Sequence, residues 1–342
     1  MHPTSQATLI VGAGFSGAVI ARELADHGRP VRVIDRRGHI AGNAYDALDE
    51  HGVRVHRYGP HIFHTSNMEV VRWLSRFTEW LPYQHKVKAQ LADGTLVTMP
   101  VNAETARIVG ADRVLDVLFR PYTRKMWGLE IEQLDPAVLA RVPIRDDMNE
   151  LYFPNDSFQA MPSQGFSALF ERMLDHPLIQ LSLNTSYQHG MEAGFAHCFN
   201  SMAIDEFFAF DQGALPYRSI RFHTVSVPMQ RVLPVAVVNF THDLPYTRAT
   251  EWTHFPNHGR GPWTTLTYEE PCAAEDNANE RYYPVKDLEG VNRERYKRYL
   301  ERVPAGMTFV GRCGQYVYLD MHQAVSAALA VADRHLKATA AP

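Results

Sequence analysis

Thr8-Leu9-Ile10-Val11-Gly12-Ala13-Gly14-Phe15-Ser16-Gly17, read on as far as Asp35, decides the fold. A short apolar run, Leu9 to Val11, enters a turn in which Gly12, Gly14 and Gly17 give the pattern G-x-G-x-x-G. From Ala18 to His27 the residues suit a helix, and Gly28 stops it. A second apolar run, Val31 to Ile34, ends at Asp35. Strand, glycine turn, helix and strand in that order specify parallel strands joined by a crossover helix. The glycines have separate tasks: one permits the tight turn, one lets a pyrophosphate approach bare backbone, and one lets the helix pack on the sheet. The N-terminus of that helix offers free N–H groups and a partial positive charge to phosphates. Asp35 stands where an acid accepts ribose hydroxyls, so a bound dinucleotide is expected; alone, the glycine pattern would be a weak signal.

The next residues, Arg36-Arg37-Gly38-His39-Ile40-Ala41-Gly42-Asn43, form a basic, glycine-rich segment. Behind a ribose-binding acid this is a pattern of FAD proteins more than NAD proteins, with Gly42 and Asn43 wrapping a second phosphate and Arg36 against the adenine. By themselves these residues fit an exposed polar loop equally well.

Farther out, apolar spacing from Val70 to Trp80 predicts a helix, and His85 to Met99 a hairpin turning at Asp93-Gly94. Glu104 to Arg141 reads as helical, interrupted at Pro121 and Pro136. Strands are expected at Ala236–Thr241, Trp263–Tyr268 and Thr308–Gly311, and a closing alanine-rich helix at Gln323–Lys337. The expected class is α/β: an FAD-binding Rossmann-like domain, a small helical insert domain and a mixed antiparallel sheet domain. Residues 1–80 and 305–342, with parts of 180–235, are assigned to the first, 102–145 to the insert, and 81–101 with 146–304 to a substrate domain.

Composition narrows the function. The chain has 342 residues, 45% apolar and 21% charged, with a formal net charge of −4. No lysine- or arginine-rich run suggests a nucleic-acid footprint. Cys198, Cys272 and Cys313 lie far apart without metal-ligand spacing and read as free thiols of a reducing compartment. No stretch approaches the roughly 20 apolar residues of a membrane span. A cytoplasmic protein without a metal site is expected.

At Tyr58-Gly59-Pro60-His61-Ile62-Phe63-His64-Thr65 the sequence resembles the UDP-galactopyranose mutase family. Matches continue in order: Tyr122-Thr123-Arg124-Lys125-Met126-Trp127-Gly128, Arg141-Val142-Pro143-Ile144-Arg145, Gln159-Ala160-Met161-Pro162, Asn239-Phe240-Thr241, Pro245-Tyr246-Thr247-Arg248, Tyr282-Tyr283-Pro284-Val285 and Tyr316-Val317-Tyr318-Leu319-Asp320-Met321. The resemblance implies an isomerase carrying FAD that works only when reduced, with NAD(P)H or another reductant as electron source. In that family flavin N5 attacks the anomeric carbon of a nucleotide sugar and forms a covalent adduct. The sugar opens as an iminium, recloses through another hydroxyl and is recaptured by the diphosphate, so that pyranose becomes furanose with no net redox.

The resemblance also assigns roles. His61 packs against the flavin and tunes it, while Arg312, Asp320 and Met321 join the cofactor set. Arg145 and Arg248 hold the diphosphate, which suits a planar group that stays charged and can donate two parallel hydrogen bonds. Tyr152, Tyr283, Tyr318 and Asn239 supply further polar contacts, and Tyr122, Thr123 and Trp127 hold the uridine. His56, His64 and His85 read as structural or cofactor-adjacent.

Departures from the family pattern gather around the sugar. Arg145 is followed by Asp146-Asp147, Phe158 replaces a common tyrosine, Leu319 another, and Phe210-Asp211 an aromatic–arginine pair. Only 19 residues separate Asn102 from Tyr122, a short insert that removes much of the segment carrying the family's homodimer contacts. A UDP-sugar is the default substrate, with a deoxy, amino or pentose sugar as a variant. The alternative from another class is an amine-oxidase-like FAD oxidoreductase, against which two arginines weigh, since an amine gains nothing from cations.

Overall fold

The computed structural model describes residues 7–133 and 144–339. The expected break at Pro136 and the Arg141-Val142-Pro143 part of one motif lie outside them.

The opening unit folds as the glycine pattern requires. Thr8–Val11 is a fully buried strand, Phe15–Asp26 a helix and Val31–Ile34 the next strand. Gly28, at φ +74°, ends the helix in the left-handed region that glycine enters without a Cβ clash. These strands belong to a five-stranded parallel sheet ordered 179–182, 31–34, 8–11, 197–200, 307–309. The closing helix Met321–Thr339 packs back against Phe15–Asp26. Parallel strands buried on both faces need largely apolar runs, which TLIV supplies, and in VRVI every residue except the exposed Arg32 is apolar and buried.

A second sheet has seven strands in the order 283–284, 217–227, 264–273, 248–251, 237–240, 87–90, 96–99. Its pairs are antiparallel except 237–240 on 87–90. The hairpin 87–99 turns at Asp93-Gly94 as expected, the Asp93 carboxylate accepting the Thr95 N–H at 2.9 Å. A three-stranded sheet, 63–65, 158–162 and 80–82, bridges the two.

Two expectations differ from the structure. The helix predicted from Val70 to Trp80 is Met68–Leu74, started by the Asn67 side chain, and Trp80 begins a strand. Trp80 stacks on Phe63 of the same three-stranded sheet, so its apolar spacing serves packing on that sheet rather than a further helical turn. Pro121 does not interrupt its helix either. Residues 115–119 form a π-helical turn immediately before Arg120–Trp127. The widened turn accommodates the ring and the missing N–H, which an ordinary α-helical interior would resist.

Candidate active site

A cavity of about 370 Å³ opens at the carboxyl ends of the parallel strands. Gly12, Gly14, Phe15, Gly17, Asp35, Arg36, Gly42, Asn43, His61, Arg312 and Met321 all line it, and Asp320 lies between the lining residues Leu319 and Met321. Two glycines show why side chains are excluded. A Cβ on Gly17 would lie 1.9 Å from the Gly12 carbonyl oxygen, and one on Gly42 3.0 Å from the Gly14 Cα. The buried Asp35 braces the turn, accepting the Ala13 N–H at 2.7 Å and the Arg37 N–H at 2.9 Å. Bare backbone, a helix start and an acid at the second strand's end fit a dinucleotide.

His61 connects this cavity to a second group of residues. Its Nδ1 lies 2.8 Å from the Gly59 carbonyl, which can only accept, so Nδ1 carries the proton and Nε2 keeps a lone pair. Burial pushes the imidazole down to about 4, leaving it neutral. The His61 peptide N–H donates to His56 Nδ1 at 3.1 Å, and His56 Nε2 lies 2.9 Å from His258 Nε2. His258 Nδ1 lies 2.7 Å from the Pro256 carbonyl. The Pro256 carbonyl fixes the proton on His258 Nδ1, His258 Nε2 then accepts from His56 Nε2–H, and His56 Nδ1 accepts from the His61 peptide, giving one polarity through two neutral imidazoles. His56 and His258 are buried, and burial holds both below the ordinary histidine range.

Across the seven-stranded sheet, Asn239 pairs with Arg248 and Arg248 with Glu269. Directly paired residues share a face, so an amide, a guanidinium and a carboxylate form one row. Arg248 Nε lies 2.9 Å from Glu269 Oε2, with the carboxylate side chain only 2% exposed. Burial disfavours the charge on Arg248, but Glu269 together with Tyr122, Tyr283 and Tyr152 outweighs it and holds the guanidinium above its ordinary value. Burial pushes the Glu269 carboxyl up, and Arg248 counters part of that rise. Glu269 Oε1 and Asn239 Oδ1 are buried acceptors with no hydrogen-bond partner among the described residues. The row thus offers one cation and two open acceptors, a set matched by an anion that also bears hydroxyl groups.

The tyrosines gather here. Arg248 interacts electrostatically with Tyr122, Tyr152 and Tyr283, and also with His61. Tyr283 and Tyr318 stack at 5.8 Å, Trp127 meets Tyr283 edge-on at 6.3 Å, and Arg312 lies over Tyr318 at 4.8 Å. The helix bearing Tyr122, buried Thr123 and Trp127 is fastened down by Lys125, which donates to the carbonyls of Phe240, His242 and Tyr246 at 2.7–3.1 Å. Those carbonyls lie in and just beyond the strand that carries Asn239, so the helix is pinned to the end of that strand.

Sequence comparison agrees with this arrangement. A family described as UDP-galactopyranose mutase matches residues 117–318, and one described as NAD(P)-binding Rossmann-like domain matches 10–77. The chain belongs to the UDP-galactopyranose mutase family. It is 34% identical to the probable UDP-galactopyranose mutase of Klebsiella pneumoniae, covering 97% of this chain and 95% of that protein. To the dTDP-fucopyranose mutase of Escherichia coli it is 32% identical, with 96% and 98% covered. The first alignment spans 375 positions, more than the 342 residues present, so that relative carries segments this chain lacks. Among solved structures, reduced UDP-galactopyranose mutase superposes with a TM-score of 0.74 at 16% identity, covering 98% of this chain and 95% of that one. A putrescine oxidase superposes with 0.58 at 12%, covering 97% and 99%, a likeness of fold.

Within this mutase-family site Arg145 stands apart. Its guanidinium donates to the carbonyls of Asn149 at 2.6 Å and Leu151 at 3.0 Å, and Nε lies 3.6 Å from the Asp147 carboxylate. It is bound into its own loop, a few residues before Tyr152, whose N–H donates to the His85 carbonyl. His85 is buried and pushed down to about 3 by that burial. His64 pairs with Asp156 at 2.6 Å and stacks on Phe153 at 3.5 Å, bracing the same loop.

Glu269 and His258 escaped sequence reading, as did Arg37, Ser201, Glu280 and Arg281 of the cavity wall. The signal for Glu269 was a run of buried polar residues in a strand, Thr264-Thr265-Leu266-Thr267-Tyr268-Glu269, where an apolar alternation is ordinary.

Proposed function

We propose that this protein is a flavin-dependent nucleotide-sugar pyranose/furanose mutase, converting UDP-galactopyranose or a related sugar nucleotide to its furanose form. The observation that carries this reading is the Asn239–Arg248–Glu269 row, which reaches His61 of the dinucleotide cavity through Arg248. FAD fits that cavity, held by Gly12, Gly14, Gly17, Asp35, Arg36, Gly42, Asn43, Arg312, Asp320 and Met321. When reduced it supplies the nucleophile that displaces a diphosphate from an anomeric carbon.

The chain's own residues do the rest. Arg248, charged throughout, takes up the negative charge that develops on the departing diphosphate. Asn239 and Glu269 offer acceptors to sugar hydroxyls, and Tyr152, Tyr283 and Tyr318 offer hydroxyl donors. Tyr122 and Trp127 give the base an apolar face with Thr123 beside it. His61, neutral and with Nε2 unprotonated, turns an acceptor rather than a charge toward its surroundings. Arg145 reaches the diphosphate only after exchanging the Asn149 and Leu151 carbonyls for phosphate oxygens. That exchange replaces neutral acceptors with charged ones and is favourable once substrate arrives.

NAD(P)H or another external reductant keeps the cofactor reduced, and a cytoplasmic setting accords with that supply. No helix among the described residues is long and apolar enough to cross a membrane. A homodimer is the assembly we propose, formed with less of the insert than its relatives use. An amine-oxidase activity gains no support from the site, because a cationic amine would meet the Arg248 guanidinium.

The decisive assay incubates dithionite-reduced protein with UDP-galactopyranose and dTDP-fucopyranose and separates pyranose from furanose by chromatography. Furanose product from reduced but not oxidised protein supports the proposal; equal turnover in both states defeats it.

A further inference from the structure

We infer that residues 274–282 form a strap across the adenosine end of the dinucleotide cavity, and that Glu280 latches it and slows cofactor release. The inference rests on the dinucleotide reading of the cavity given above.

Glu280 and Arg281 line the cavity but belong to the connection between strands 264–273 and 283–284 of the seven-stranded sheet, not to the glycine-turn unit. Each ties the strap to a different side. Glu280 Oε2 lies 2.5 Å from Arg37 Nη2, and Oε1 lies 3.4 Å from Arg36 Nη2. Arg281 Nη1 lies 2.8 Å from the fully buried Asp205 carboxylate. Arg36 and Arg37 follow Asp35 at the end of one parallel strand; Asp205 follows the strand His197–Asn200. A two-residue segment therefore spans the cavity mouth. Asp35 marks this mouth as the ribose and adenine end, because that is where such folds accept ribose hydroxyls.

The backbone is bent to achieve this. Ala278 at φ +52° and Asn279 at φ +57° are consecutive left-handed residues, and neither is glycine. For alanine that conformation is disfavoured by contact between its Cβ and the following carbonyl oxygen. It is held by Asn279 N–H to the Ala274 carbonyl and Glu280 N–H to the Asn277 carbonyl, both 2.9 Å, and by Asn277 Nδ2 bonding Ser219 Oγ at 2.9 Å and the Ile220 carbonyl at 3.1 Å. Arg37 is equally fixed, donating to Asn43 Oδ1 at 2.9 Å and lying 4.4 Å over the Tyr58 ring. A strained turn braced from behind, presenting one carboxylate to two arginines, closes the route by which a dinucleotide would leave sideways.

The test loads the enzyme with FAD and follows free-flavin fluorescence after dilution, for wild type, Glu280→Gln, Arg37→Met and the double variant. Loss of a charge-assisted contact predicts release about tenfold faster in Glu280→Gln. The double variant should release no faster than the faster single one, because both remove the same contact. Raising ionic strength should speed release from wild type but not from Glu280→Gln. Wild-type release rates in Glu280→Gln overturn the latch; if that variant does not fold, the same rates in Arg37→Met overturn it. A wild type that retains no FAD would instead overturn the dinucleotide reading itself.

Discussion

In the mechanism we propose, Arg248 takes up the charge of the departing diphosphate, and its behaviour follows from having Glu269 as cross-strand partner. The pair keeps the guanidinium charged in a buried place while leaving its other nitrogens for a ligand. Arg248→Ala should lower turnover by orders of magnitude while FAD stays bound, as single-turnover assays and the flavin spectrum would register. Arg145→Ala should cost turnover on a similar scale, but substrate-free stability should change little more than loss of its loop carbonyl bonds allows. Near-normal activity in either variant would remove that arginine from the diphosphate. Glu269→Gln should destabilise the fold by about 1–3 kcal/mol, because it strips a buried cation of its counter-charge; urea titration measures this. The polar run leading to Glu269 marked its strand as unusual but could not name its partner, since strand register, not spacing, brings Glu269 to Arg248.

At the scale of elements, the two imidazoles behind the His61 peptide, His56 and His258, hold the 58–61 loop by fixed proton positions. His258→Phe would leave the His56 Nε2–H buried without an acceptor, at a cost of about 1–3 kcal/mol. The chain also sets a pH response. His61 and His258 titrate near 4 in the fold, against an ordinary value of 6.5. The unfolded chain therefore binds more protons between those values, and stability rises with pH there. Stability from these groups is complete above 6.5 and drains away as the medium is acidified toward 4. Melting temperatures across that range test the sign, and His258→Phe should flatten the slope. Sequence reading recognised His61 through its motif. It missed His258 because a partner 202 residues from His56 leaves no local trace.

At the scale of the whole molecule, the cofactor cavity is assembled from residues 11–44, 61, 185–187, 201–206, 280–281 and 311–324. A ligand bridging so many segments stabilises the folded chain by mass action, so stripping FAD should lower the melting temperature and returning it should restore it. An unchanged melting point would mean the cavity is not where the cofactor binds. The glycine turn, the crossover helix and Asp35 were readable in sequence because they are local and periodic. The order of the seven-stranded sheet was not, since its single parallel pair joins segments about 150 residues apart.

The widened turn before Pro121 governs which changes of chain length the helix bearing Tyr122 and Trp127 can tolerate. An α-helix advances about 100° per residue, and a π turn holds one residue more than an α turn. Taking that residue out of 115–119 would let the turn close to ordinary pitch with the flanking helix in place, so Tyr122 and Trp127 would keep their azimuth and Lys125 its carbonyls. Nucleotide affinity should survive that deletion, whereas a residue inserted within Arg120–Trp127, where no bulge absorbs it, should abolish affinity and leave the flavin absorbance untouched.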